Sequence, residues 1–140
     1  MIEFTICKDF NGRRDRIWEL VKDVSLIPEF WKGTRQLNVV EKSNGVYEGE
    51  VKFAFPSKGK IRIEIDEEKR TLKMIYLSGP IKGLNTITVG ESTICSQWNV
   101  KLTFPFNLRS NWIKDHFMTG TEHALERIIS TSKNQLVEKK

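Results

Sequence analysis

The stretch NWIKDHFMTGTEHALERIISTSKNQLVE, residues Asn111 to Glu138, is a long helical pattern at the end of the sequence. Apolar and small residues recur in it at spacings of three and four, the period of one helix face. Ser110 or Asn111 can cap its start by accepting hydrogen bonds from backbone N–H groups that lack helical partners. The predicted face consists of Ile113, Phe117, Gly120, Thr121, Ala124, Ile128 and Ser132. The spacing predicts one long amphipathic helix, and the rest of the chain is interpreted around it.

This face is bulky at its two ends and small in the middle. Gly120, Thr121 and Ala124 separate Phe117 from Ile128. Glycine inside a helix costs about 1 kcal/mol relative to alanine, so something else is expected to come close at this position. Two interpretations stay open: a neighbouring backbone, or a cavity that holds a ligand.

The length and composition of the chain predict one globular domain over residues 1–140. Hydrophobic residues make up 39% and charged residues 29% of the sequence, which is ordinary for a soluble globular protein. No apolar run approaches the roughly 20 residues that a membrane span needs. The alternating pattern begins directly after Met1 without the regions of a signal peptide, and we therefore expect a cytoplasmic protein.

The charge and the cysteines argue against several classes of function. The formal charge is +5, and the basic residues are scattered rather than gathered in one stripe with exposed aromatics, so no nucleic-acid partner is expected. Cys7 and Cys95 lack the spacing of a zinc site, and no phosphate loop or nucleophile elbow is present. We predict neither metal nor cofactor, and either a monomer or a homodimer fits.

From Thr34 to Phe106 apolar and polar residues alternate with the period of half-buried strands. The same pattern over Ile2–Cys7 precedes two short helical segments, the second over Ser25–Trp31. Tight turns such as Ser43–Gly45 join consecutive strands into antiparallel pairs. The predicted fold is α+β: a curved antiparallel sheet of about seven strands, whose concave face is covered by the C-terminal helix. Lys133–Lys140 is predicted to be a fraying tail.

Three segments carry a resemblance to a known superfamily. They are RIWELVKDV over residues 16–24, IPEFWKG over residues 27–33 and CSQWNV over residues 95–100. With the order of elements, they resemble the START-like, Bet v 1-like (SRPBCC) helix-grip superfamily, near its polyketide cyclase/dehydrase and coenzyme Q-binding groups. The resemblance covers nearly the whole chain and implies a binding cavity between the sheet and the last helix. It carries no reaction, and no catalytic residue is transferred.

Candidate ligand contacts are the inward strand positions near the last helix and the bulky or small residues of the helix itself. Plain core packing is an equally good interpretation for each of them. Tyr76 and Trp98 have a polar group that needs a partner when buried, and in a pocket it can orient a polar ligand atom. The candidates are Trp31, Phe53, Phe55, Ile63, Met74, Tyr76, Trp98, Trp112, His116, Phe117 and Gly120.

His116 and His123 are seven residues apart and fall on nearly one line of the helix. Three interpretations compete: a solvated flank, a polar contact at the mouth of the pocket, and metal binding or general base catalysis. The sequence spacing supplies no third ligand or carboxylate partner. The acidic strand residues have outward parity and are interpreted as a solvated face. They are Glu48, Glu50, Glu64 and Asp66.

The leading functional hypothesis is binding or carriage of a small hydrophobic molecule such as a lipid, a quinone or a polyketide-like compound. A second hypothesis is a cyclase or dehydratase acting on such a molecule, with His116 or Tyr76 as the acid or base. A third is a protein-interaction module in which the hollow is filled by core side chains. Catalysis is therefore uncertain, and a plain binder is preferred.

In the fold that the resemblance implies, the first and last strands are antiparallel neighbours. Their registers place Cys7 and Cys95 nearly opposite each other on the outer face. A cytosolic location favours free thiols, and a disulfide is the alternative.

Overall fold

The computed structural model describes residues 1–55 and 57–138, and side chains up to residue 134. The described part of the chain contains seven strands; it begins with a strand and ends with a helix. The strands are β1 (Ile2–Asp9), β2 (Thr34–Ser43), β3 (Val46–Phe53), β4 (Lys58–Asp66), β5 (Thr71–Tyr76), β6 (Ile81–Val89) and β7 (Thr93–Leu102). The helices are α1 (Arg14–Lys22), α2 (Ile27–Phe30) and α3 (Ser110–Glu138), with 3-10 turns at Val24–Leu26 and Phe106–Arg109.

The predicted order of elements is confirmed. The second short helix is shorter than predicted, because residues 24–26 form a 3-10 turn and only Ile27–Phe30 is α-helical. Pro28 lies in the first turn of α2, where its missing N–H removes no hydrogen bond. The prediction of a fraying tail over Lys133–Lys140 is wrong as far as Glu138, because α3 continues to that residue. The last two residues of the predicted tail lie outside the described part of the chain.

All seven strands form one antiparallel sheet in the order β1-β7-β6-β5-β4-β3-β2. β1 and β7 are neighbours, and Cys7 lies directly opposite Cys95. Their Cα atoms are 4.1 Å apart, so the predicted closeness is confirmed. The expectation of free thiols is wrong here, because the two sulfur atoms form a disulfide.

The two halves of α3 pack very differently. Thr121, Ala124, Leu125 and Ile128 are buried against the sheet. Residues 110–120 include no fully buried side chain. The second half of the helix therefore holds α3 to the sheet, and the first half covers the sheet only loosely.

Two polar contacts set the position of α3 along the strands. Lys8 Nζ lies 3.5 Å from carboxylate oxygens of both Glu122 and Glu126, which places this part of the helix over the end of β1. Arg127 Nη1 donates a hydrogen bond of 2.8 Å to the backbone oxygen of Phe30. The second contact fixes α2 beside α3 and brings Trp31 to the inner face of the sheet.

Replacing Ile128 with alanine tests whether this docking holds the fold together. We expect the free energy of unfolding to fall by about 2–5 kcal/mol, because the substitution removes buried methylene groups and leaves a cavity. Urea denaturation measures the change, and Ser130→Ala, an exposed position on the same helix, is the control. Equal and small effects of both substitutions would contradict the docking described here.

Candidate functional site

Trp98 on β7 is the centre of an aromatic cluster between the sheet and α3. Its ring centroid lies 6.0 Å from that of Tyr76 and 5.1 Å from that of Phe117. It also lies 6.1 Å from Phe4 and 6.4 Å from Trp31. These separations are typical of favourable aromatic pairs. One indole thus joins side chains from β1, β5 and α3 and from Trp31 directly after α2, and the rings occupy the space where the resemblance implies a cavity.

The cluster continues towards the β3–β4 turn. Phe53 lies 6.0 Å from Tyr76 and 5.5 Å from Phe55, and Phe55 lies 5.7 Å from Phe106, between ring centroids. Phe55 is partly exposed. The aromatic cluster therefore runs from the buried interior to the surface at the end of the sheet where α3 begins.

Gly83 on β6 lies between the two strands that carry the central rings. Tyr76 pairs with Gly83, and Gly83 pairs with Val100, two residues beyond Trp98. Gly83 has a φ of +138°, and a Cβ atom there would clash with the backbone oxygen of Asn99, so the close approach of β6 and β7 requires glycine. The rings of Tyr76 and Trp98 stack with an interplanar angle of 10°.

Polar side chains lie beside this apolar cluster. Asn85 on β6 and Ser96 on β7 are completely buried, and Thr121 on α3 is nearly so. Ser96 Oγ donates a hydrogen bond of 2.6 Å to Asn85 Oδ1. Asn85 lies directly opposite Trp98 in the sheet. The interior next to the indole ring is therefore polar.

Three buried polar atoms in this region have no hydrogen-bond partner in the described part of the chain. They are Trp98 Nε1, Asn85 Nδ2 and Thr121 Oγ1. Thr121 lies one helical turn beyond Phe117, which contacts Trp98. Leaving such an atom unpaired costs about 1–3 kcal/mol, so each of the three gains stability from any water molecule or other polar group that reaches it.

Tyr76 adds a fourth polar group. Its hydroxyl is buried, and the nearest polar atom in the described chain is Met74 Sδ at 4.0 Å, a weak acceptor. Burial raises the pKa of the Tyr76 hydroxyl well above its ordinary value. The hydroxyl stays protonated at neutral pH, so it is suited to donate a hydrogen bond and unsuited to act as a base.

The structure brings together most of the predicted ligand contacts. Trp31, Phe53, Tyr76, Trp98 and Phe117 belong to the aromatic cluster, with Phe55 at its exposed edge. Ile63 and Met74 are buried on the same inner face of the sheet. Whether any of them contacts a ligand stays a prediction.

Three predicted contacts lie elsewhere. Trp112 and His116 are exposed and stack on each other with ring centroids 5.3 Å apart. Gly120 is also exposed, and a Cβ atom there would meet nothing within 4 Å, so the interpretation as a backbone contact is wrong. The next residue is rotated by about 100° around the helix, and it is Thr121 that faces the interior.

The histidines do not form a catalytic or metal-binding group with other described residues. His116 and His123 are both exposed. No group of three or more potential metal-ligating side chains occurs in the described part of the chain. His123 instead lies in an open groove of about 460 Å³ between α2 and α3, beside Glu29, Phe30, Glu126, Arg127, Ser130 and Thr131.

The outward acidic residues lie on the outer surface of the sheet, as expected. Arg62 is held by Glu48 at 3.0 Å and by Glu64 at 2.8 Å. The hydrogen bond from Arg62 to Glu64 is the main reason that the pKa of the arginine is raised. These residues stabilise the outer face of β3 and β4 and do not face the interior.

Asn85 is the site residue that the sequence analysis missed. It occupies the same parity as Ile87 and Val89, so a polar residue on the apolar side of a strand was the available signal. Thr121 was assigned to the buried helix face without a polar role, and Ser96 shares the inward parity of Trp98. Neither their pairing with Asn85 nor the missing partners can be deduced from strand parity alone.

No family profile and no curated protein matches this chain. Among solved structures, the ZhuI aromatase/cyclase from Streptomyces sp. R1128 has a TM-score of 0.69 at 12% identity, covering 96% of this chain and 94% of that one. A STAR-related lipid transfer protein from Xanthomonas axonopodis has a TM-score of 0.62 at 9% identity, covering 94% and 85%. Norcoclaurine synthase from Thalictrum flavum has a TM-score of 0.63 at 17% identity, covering 94% and 95%.

At these identities the likeness shows the fold alone. The predicted fold is confirmed: the chain has the helix-grip fold, with a curved seven-stranded antiparallel sheet and a long C-terminal helix, and it shares this architecture with these solved structures. No helix in the described ranges is long and apolar enough to cross a membrane. The cytoplasmic location stays a prediction.

Replacing Tyr76 with phenylalanine tests the environment of the buried hydroxyl. Because the pKa of Tyr76 is raised in the folded protein, the unfolded chain ionises first, at a pH of about 10. Ionisation of Tyr76 therefore does not change the free energy of unfolding below that pH. Above it, the wild type should lose about 1.4 kcal/mol per pH unit relative to the variant. Urea denaturation of both proteins across alkaline pH gives the difference, and parallel curves would contradict it.

Proposed function

We propose that the protein binds a small, neutral, apolar molecule carrying at least one carbonyl oxygen, held between the sheet and α3. The observation that carries this proposal is the set of unpartnered buried atoms at Trp98, Asn85 and Thr121. Indole and amide N–H groups donate hydrogen bonds, and a hydroxyl can donate or accept. A ligand oxygen that reaches them removes the cost of leaving them unpaired.

The chemistry of the interior selects the polar group of the ligand. The buried polar residues are Thr34, Asn85, Ser96, Thr121 and Ser132, and none of them carries a charge. Lys8, at the edge of this region, is already paired with two glutamates. A carboxylate would therefore be buried without a counter-ion, which is costly. A quinone or a polyketide-like ketone fits these donors better than a fatty acid does.

The route of entry is argued from the packing of α3. The first half of the helix is loosely packed, and Phe117 is only partly buried although it contacts Trp98. The open side of Gly120 leaves space beside it. A ligand that enters under this part of the helix must displace aromatic rings from the cluster, beginning with Phe117, which α3 contributes to it. Burial of its apolar surface would then contribute about 25 cal/mol per Å², minus ordering costs.

The decisive experiment compares two tryptophans. Trp98→Phe keeps an aromatic ring but removes the N–H donor, whereas Trp112→Phe changes an exposed ring. Isothermal titration with a short-chain ubiquinone should give a dissociation constant about tenfold higher for Trp98→Phe, since one hydrogen bond contributes about 1 kcal/mol or slightly more. Trp112→Phe should bind as the wild type does.

Two further measurements separate the alternatives. Palmitate should bind more weakly than the quinone, and the difference should shrink when palmitate methyl ester is used. Native mass spectrometry of the purified protein would reveal an apolar molecule that copurifies with it. Absence of saturable binding of any of these compounds would favour the third hypothesis, an interaction module whose core is filled. Equal binding by Trp98→Phe would contradict the role of the indole N–H.

A further inference from the structure

Lysines are paired with lysines at the end of the sheet where α3 begins. Lys52 lies directly opposite Lys58 in the β3–β4 hairpin, and Lys82 lies opposite Lys101 at the end of the β6–β7 pair. All four side chains belong to exposed residues on the outer face. Like charges placed directly opposite each other destabilise a sheet, so these two pairs reduce the stability of the isolated protein.

No acidic side chain compensates these four lysines within ion-pair distance in the described part of the chain. The seven ion pairs found there lie on α1, on the outer face of β3 and β4, at the β4–β5 turn and between β1 and α3. The bases in them are Lys8, Arg16, Lys22, Arg62 and Arg70. The four lysines of the two pairs are not among them, so their positive charges have no acidic partner in the described part of the chain.

Large apolar side chains are exposed at the same end. Phe104 is 78% exposed, Leu108 72% and Trp112 64%. They lie on the connection from β7 to α3 and on the first turn of the helix. Backbone hydrogen bonds join this connection to the β5–β6 turn, since Thr103 N donates to Pro80 O at 3.0 Å. The exposed apolar residues and the lysine pairs therefore lie at the same end of the sheet.

We propose that this surface docks on an anionic lipid bilayer. We define the docking end as Lys52, Lys58, Lys82 and Lys101 with Phe104, Leu108 and Trp112. Lysines near an anionic bilayer gain favourable electrostatic energy, and their long stems let the charged groups reach the headgroups. Tryptophan prefers the interface between lipid and water, and the exposed Phe and Leu lose water contact on shallow insertion. The proposal does not depend on the ligand discussed above.

The observations favour a lipid surface over a nucleic acid or an acidic protein. A nucleic-acid strand stacks its bases on aromatic side chains, but Leu108 offers no ring. A protein partner requires a complementary shape, whereas a bilayer accepts scattered apolar side chains inside a rim of mobile cations. Uncompensated positive charge next to exposed apolar side chains is the combination that an anionic bilayer satisfies in both respects.

The test uses vesicles of phosphatidylcholine with and without phosphatidylserine. We expect the full chain to cosediment with the phosphatidylserine vesicles, to be released by added salt and to bind phosphatidylcholine alone more weakly. Lys82→Gln/Lys101→Gln should lower the partition coefficient roughly thirty-fold, from a contribution of about 1 kcal/mol per lysine. Lys42→Gln/Lys69→Gln is the matched control, because Lys42 near the end of β2 and Lys69 in the β4–β5 turn are exposed and lie at the opposite end of the sheet.

Trp112 supplies an independent measurement of orientation. The chain has four tryptophans, and Trp18, Trp31 and Trp98 are buried. Brominated phospholipid should therefore quench mainly the emission of Trp112, and Trp112→Phe should remove most of that quenching. Absence of binding to phosphatidylserine vesicles, equal loss in the control double variant, or binding without quenching would each overturn the proposal. Tighter binding to polyuridylate than to vesicles would replace it with nucleic-acid binding.

Discussion

A curved sheet with an apolar concave face needs a cover, and the second half of α3 supplies it. Thr121, Ala124, Leu125 and Ile128 are buried there, and the pairing of Lys8 with Glu122 and Glu126 sets their position along the strands. This short buried stretch is the main attachment between the sheet and a helix of 29 residues. The first half packs only through partly buried side chains such as Ile113 and Phe117, and the exposed apolar residues Leu108 and Trp112 lie on or beside it.

Between the sheet and α3 the chain combines a dense aromatic cluster with polar atoms that have no hydrogen-bond partner in the described part of the chain. Aromatic contacts around Trp98 contribute stability and fill the space between the sheet and α3. The unpaired atoms of Asn85, Trp98 and Thr121 reduce stability at the same place. A core selected for stability alone would have apolar residues at Asn85 and Thr121. Their presence is the physical reason for preferring a binding site to a simply filled core.

The two proposals meet at the same end of the molecule. The loosely packed part of α3, through which a ligand would enter, begins next to Trp112 and the exposed connection from β7. If that end lies on a bilayer, an apolar molecule can pass from lipid to the aromatic cluster without crossing water. Exposed apolar residues and unpaired lysines, which are unfavourable in an isolated protein, are then stabilised by the surface that they contact.

The sequence by itself determined the elements, their order and the antiparallel sheet. Strand parity identified the strand residues that face the interior around Trp98. Side chains of a strand alternate strictly between two faces, and the apolar ones mark the buried face. The opposition of Cys7 and Cys95 followed once the fold was inferred from the resemblance. The helical period was less precise: Gly120 and Thr121 were both assigned to the buried face, and only Thr121 is buried.

Only the tertiary structure decided which residues act together. The exposed positions of Trp112 and His116, the polar group around Asn85 and the unpaired atoms depend on how α3 is rotated and where it lies along the sheet. The disulfide likewise required the final distance between two strands that are far apart in sequence. Pairings of lysine with lysine depend on the register of each hairpin. These are relations between distant segments, and a local pattern contains no information about the distance or angle at which such segments meet.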